Sequence, residues 1–152
     1  ESASVNNSIA AIYAENGTAK EHPFFLKTIP ELNGMNKLGF LQKYDKFVTK
    51  LDDNEIDKAI GVYKNIVETE TMWFVKLSGY NLLASLQNHY TKKSMELTTQ
   101  IDSYNAEGKT EQIPELEKQV NTCKNQDEKI AVILKDLKTK ETDENVKKYL
   151  GL

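Results

Sequence analysis

Between residues 80 and 141 the apolar positions fall into two stripes that face each other across a turn. Ile113, Leu116, Val120, Cys123, Asp127, Ile130, Leu134 and Leu137 follow a 3-4-3-4-3-4-3 spacing, with Glu141 next in phase. Tyr80, Leu83, Leu86, Tyr90, Ser94, Leu97, Ile101 and Tyr104 form a matching stripe upstream. Stripes this narrow belong to a coiled-coil seam, not to a wide core-facing helix. Asn105 to Thr110 separates them; Gly108 can take the left-handed stop, Thr110 can act as N-cap, and Pro114 is tolerated in the first turn. So short a loop makes the helices antiparallel neighbours. Folding about Lys109 pairs Tyr104 with Ile113 and continues in register to Tyr80 with Leu137. Two adjacent layers are polar, Ser94/Cys123 and Tyr90/Asp127, with the Tyr90 hydroxyl expected to donate to Asp127 and fix the register.

The rest of the chain also reads as helix. Val5, Ile9, Ile12 and Tyr13 predict a helix over about 5–15, ended by Asn16-Gly17-Thr18. Residues 19–35 are the least regular stretch, a segment expected to wrap the bundle with Phe24 and Phe25 plugged into it. His22 precedes Pro23 and is expected to be extended. Leu38, Leu41, Tyr44, Phe47 or Val48, and Leu51 make the next apolar face. Asp52 and Glu55 suggest a capping box opening a helix with Ile56, Ile60, Tyr63 and Val67 on its buried side. Glu68 to Thr71 predicts a kink or loop. Met72 to Leu77 is apolar nearly all round and is expected to be enclosed by other elements. Ser78-Gly79 offers a bend. After a charged run, Thr142 or Asp143 can cap a last helix carrying Val146, Tyr149 and Leu150. The predicted fold is all-α: a single domain over 1–152, a three- or four-helix bundle with a long antiparallel helical hairpin over 80–141, and residues 1–4 as a tether.

Composition narrows the function classes. All 20 basic residues are Lys, and the net charge is -3. Without Arg there is no guanidinium fork for phosphate or guanine, and the Lys residues are scattered, so no nucleic-acid groove is expected. Mean hydropathy is -0.59, and the longest apolar run, Met72 to Val75, is far too short to span a membrane. A single Cys excludes an internal disulfide. On the seam, Cys123 reads as a small hydrophobe. The Ser/Asn-rich start, lacking Met, leads us to expect a secreted or cell-surface protein, with the cytoplasm as the alternative. Sequons stand at Asn6 and Asn16.

Candidate chemistry is sparse. Asp53, Glu55 and Asp57 do not make a calcium loop, because Lys58 stands where Gly is needed and Lys64 where Glu is needed. They suit the positive end of a helix dipole instead. His22 and His89 lie in no metal-ligand spacing, and no nucleophile motif or phosphate loop appears. No cofactor, metal or catalytic residue is therefore assigned. The expected function is that of a non-catalytic helical-bundle binding protein recognising another protein through exposed helical faces or the hairpin tip. Tyr104 and Tyr149 are its candidate contact residues. The alternative is a carrier of a small apolar ligand, lipid or haem, in a cavity lined by Phe24, Phe25, Tyr63, Met72, Trp73, Phe74 and Tyr80. The stripes leave open whether the hairpin pairs within one chain or between two, and so whether the protein is a monomer or a dimer.

Overall fold

A computed structural model describes residues 2–152, which are all-helical. The α-helices are α1 (Ala3–Asn16), α2 (His22–Thr28), α3 (Gly34–Val48), α4 (Asp53–Thr69), α5 (Trp73–Glu107), α6 (Ile113–Lys140) and α7 (Glu144–Leu150). Short 3-10 turns precede and follow α2 and precede α6. The described residues form two compact units, residues 2–82 with 137–152, and residues 83–136.

The second unit holds most of the hairpin. Leu83, Leu86, Tyr90, Ile113, Val120, Cys123, Ile130 and Leu134 are buried, while Ser94, Leu97, Ile101, Tyr104 and Leu116 are half-buried. Each belongs to the seam expected from the heptad spacing. Asp127 bonds across to the facing helix. Its carboxylate accepts from Gln87 Nε2 at 2.8 Å and from Thr91 Oγ1 at 3.3 Å, two residues that flank Tyr90 on α5. The Asp127 layer is thus met from two neighbouring positions that the stripe alone did not mark. Gln126, one residue off the seam, is also buried. At the turn, Gly108 takes φ 70°, and the amide of Lys109 reaches the carbonyl of Tyr104 at 2.9 Å. That closure satisfies carbonyls the helix end would otherwise leave open. Thr110 does not cap α6; it opens a 3-10 turn, and α6 begins at Ile113.

In the first unit, α1 packs on α3 by a different face from the one its large residues suggest. Asn6, Ala10 and Ala14 are buried, one turn apart, while Val5 and Ile12 are exposed. Small side chains let two helix backbones approach, so the alanine stripe is the contact and the larger residues sit at its rim. Lys50 closes this contact by donating from Nζ to the carbonyls of Ala14 and Glu15 at the C-terminal end of α1. The segment after α1 is helical where irregular chain was expected. His22 has φ -57° and ψ -41°, because Pro23 falls in the first turn of α2, where its missing N–H costs no hydrogen bond. Phe25 is fully buried, as expected, whereas Phe24 is only half-buried. Phe25 stacks on Phe47 with ring centroids 4.5 Å apart and meets Phe40 at 5.5 Å. Pairs like these add about 0.5–1.5 kcal/mol each beyond the area they bury.

Asp52 caps α4 by accepting from the amide of Glu55 at 3.0 Å. The Glu55 side chain serves other partners, described below. The break at Glu70–Met72 is a loop between α4 and α5. At Gly79, α5 continues as one helix. A Cβ there would lie 2.8 Å from Val67 Cγ2 and 3.1 Å from the Tyr63 carbonyl. At Gly79 the α5 backbone lies against α4, and a side chain has no room there.

Candidate functional site

The first turn of α5 is where the sequence expectation fails most informatively. Met72 to Leu77 is not enclosed. Val75 alone is buried; Trp73, Phe74 and Leu77 are half-buried, and Met72 keeps 47% of its surface in solvent. The indole of Trp73 is covered on one side by Tyr149 of α7, with centroids 5.2 Å apart and planes 7° from parallel. Tyr149 itself remains 66% exposed. It therefore does not join Val146 in the buried face of α7. The phenol ring lies as a flat cover over the indole, its outer face open to water.

Three anchors hold this arrangement. The first is Glu141, whose side chain is 1% exposed. It accepts from the Tyr80 hydroxyl at 2.8 Å, from Lys76 Nζ at 2.9 Å, and from the amides of Thr142 and Asp143 at 3.0 Å each. Burial raises the pKa of this carboxyl, but the Asp143 amide, Lys76 and Tyr80 outweigh burial and hold it below the usual carboxylate range. Burial, with the same carboxylate as partner, pushes the Tyr80 hydroxyl well above its ordinary value. Second, Asp143 accepts from the amides of Asn145 and Val146 and starts α7 one turn beyond Glu141. Gly151, at φ 72°, ends α7, with the amide of Leu152 reaching the Lys147 carbonyl at 2.9 Å. Third, Lys37 of α3, itself buried, pairs with Glu70 in the loop before α5. That pair ties the loop to α3, and Met72 Sδ lies 3.5 Å from where a Cβ of Gly34 would stand. Met35, next in sequence, is 69% exposed.

The result is a stacked indole–phenol pair with an exposed outer ring, with the exposed Met72 next to Trp73 in sequence and a buried carboxylate, Glu141, bonded at the start of α7. Lone exposed apolar residues need no explanation, but adjacent ones on a fixed scaffold mark contact sites. Trp and Tyr are the residues that dominate interface energies. Met adapts its shape to a partner. Beside this region, Val67, Lys76, Tyr80 and Leu137 help line an open cleft of about 270 Å³ that also contains Glu141.

The remaining sequence candidates fall elsewhere. Phe24, Phe25 and Tyr63 belong to the aromatic core around Tyr44, in ring-to-ring contact with their neighbours. Phe74 meets Trp73 edge-on at 5.9 Å. Tyr80 is buried against Leu137 and Glu141. Tyr104 lies in the hairpin unit, half-buried, its hydroxyl accepting from Gln100 Nε2 at 3.1 Å.

One polar cluster went unread in the sequence. His22 is fully buried, with Nδ1 2.5 Å from Glu55 Oε2 and Nε2 2.7 Å from the Tyr44 hydroxyl. Glu55 also accepts from Lys58 at 2.9 Å; Lys58 and then His22 draw its pKa down. Burial raises that of Tyr44. The three side chains resemble a proton relay in order, but His22 and Tyr44 have no solvent-facing atom on which a substrate could sit. The cluster links α2, α3 and α4 inside the core. Compared with protein families, with curated proteins and with solved structures, the chain finds no match.

Proposed function

We propose that this chain is a non-catalytic recognition module that binds another protein through the face formed by Tyr149, Trp73 and Met72. The observation that carries the reading is the exposed Tyr149 ring, stacked on Trp73 and carried on a helix, α7, that is capped at both ends. A partner gains the area of two aromatic rings without ordering either of them, since both are already fixed. Binding of that kind loses little side-chain entropy. The buried His22–Glu55–Tyr44 cluster adds to the support for a role without catalysis, because its reactive nitrogens are closed to solvent.

Affinity capture from a lysate with the wild-type chain, with Tyr149→Ala and with Tyr104→Ala tests this. The reading requires a partner whose recovery falls at least tenfold, about 1.4 kcal/mol, with Tyr149→Ala. Loss with Tyr104→Ala alone would move the site to the hairpin tip. A partner held equally by all three proteins would defeat the reading.

A further inference from the structure

The chain contains two Asn-Gly pairs, Asn16-Gly17 and Asn33-Gly34, and the fold treats them in opposite ways. We propose that Asn33 is a site of spontaneous deamidation and isomerisation, while Asn16 is protected by the fold. The co-reactant is water. In the first step the backbone nitrogen of Gly34 attacks Cγ of Asn33. A new N–Cγ bond forms, the Cγ–Nδ2 bond breaks, and the amide proton leaves with the departing ammonia. Water then opens the succinimide. Cleavage of the N–Cγ bond gives aspartate, and cleavage at the main-chain carbonyl gives isoaspartate. No electrons are exchanged.

The step needs a free side-chain amide, an unengaged glycine nitrogen and a peptide that can rotate. At Asn33 all three are met. Asn33 is exposed, has extended backbone (φ -132°, ψ 155°), and its side chain makes no capping bond to α3. Gly34 is the first residue of α3, where a backbone N–H has no intrahelical acceptor. Gly34 sits at φ 52°, and the nearest group to its missing Cβ is the flexible Met72 side chain at 3.5 Å. One bond restrains the peptide, from the Lys37 amide to the Asn33 carbonyl at 3.2 Å, in the first turn of a helix, where fraying is easiest.

At Asn16 the same dipeptide is clamped. Asn16 is the last residue of α1, and the Gly17 amide is spent on the Tyr13 carbonyl at 2.8 Å. The Phe47 ring lies 2.9 Å from the position of a Gly17 Cβ, so the backbone has no space in which to turn. The products at Asn33 differ in effect. Aspartate caps a helix as well as asparagine does, and its charge suits the helix N-terminus. Isoaspartate inserts a methylene into the main chain at the entry to α3, beside Met72.

The test is prolonged incubation of the folded chain in mildly alkaline buffer, followed by brief digestion at mildly acidic pH. Cleavage after lysine separates the two sites, because Lys20 and Lys27 lie between them. Amide-to-acid conversion is read by mass spectrometry, and isoaspartate by methylation with a protein-isoaspartate methyltransferase. Conversion at Asn33 is expected to exceed that at Asn16 severalfold in the folded chain, and the two rates are expected to converge in denaturant. Asn33→Ser, which keeps a capping side chain, should abolish the isoaspartate signal. Equal rates at both sites in the folded chain, or a signal that survives Asn33→Ser, would overturn the proposal.

Discussion

At Gly79 the absence of a side chain is a packing requirement. Gly79→Ala would press a methyl group into Val67 and the Tyr63 carbonyl, contacts of 2.8 and 3.1 Å. Overpacking of this kind costs about 1–3 kcal/mol, which urea denaturation would read as a lower midpoint at unchanged slope. Glu141 gives a pH signature. Its pKa is lowered in the folded chain, so its stabilisation is complete above the unfolded value, about 4.3, and is lost as pH falls through the lower folded value. Glu141→Gln should therefore be less stable than wild type near neutral pH, with the gap narrowing as acid protonates the wild-type carboxyl. A gap that stays constant down to strongly acidic pH would show that the charge is irrelevant. The sequons separate by burial. Asn6 is 9% exposed against α3, and Asn16 is exposed. Expressed through a eukaryotic secretory pathway, folded protein should lose its glycan with Asn16→Gln and be unaffected by Asn6→Gln, as read by gel mobility. Pairings such as His22 with Glu55 and Lys37 with Glu70 bridge 33 residues each, and no local period marks them. Only the tertiary fold makes Glu55 a histidine partner when its sequence position suggests a cap.

Among the elements, the hairpin was the most legible, because a seam with one helix on each side imposes one strict period on both. Its stop at Gly108 and the facing of its two stripes follow from that repeat, whereas the start of α6 at Ile113, after a 3-10 turn, does not. α1 was less legible for the opposite reason. Its contact uses Asn6, Ala10 and Ala14, which carry little hydrophobic signal, while Val5 and Ile12 point the periodicity towards solvent. α2 was hidden because two prolines and a short length look like loop. The first turn of α5 misled differently: apolar composition implies enclosure, yet of its residues only Val75 is buried, and Trp73 is stacked under an exposed Tyr149 of α7. Within the hairpin, burial is uneven. Leu86 is 1% exposed, whereas Leu97 is half-buried. Leu86→Ala should cost about 2–5 kcal/mol and Leu97→Ala distinctly less. Amide exchange should likewise be faster around Leu97 and Ile101 than around Leu83 and Leu86. Equal protection along α5 would contradict this gradient.

On the scale of the whole molecule, the proposed recognition face involves residues distinct from those that fill the core. Val146, Glu141 and Asp143 set α7 in place, and Tyr149 adds one exposed ring. Tyr149→Ala should then lower the thermal midpoint by no more than about 8 °C, since an exposed substitution stays within about 0.5 kcal/mol plus the loss of one ring stack of about 0.5–1.5 kcal/mol. Folding and binding can thus be separated by mutation. Among the described residues, no helix is long and apolar enough to cross a membrane. The most direct test of the recognition face is site-specific photocrosslinking. A photoreactive phenylalanine analogue replaces Tyr149 in one protein and Tyr104 in another, and both are illuminated in a lysate that contains the partner. The account predicts a defined covalent adduct from position 149 and a much weaker one from position 104. Adducts from 104 alone, or none at 149 while capture of the partner persists, would contradict it.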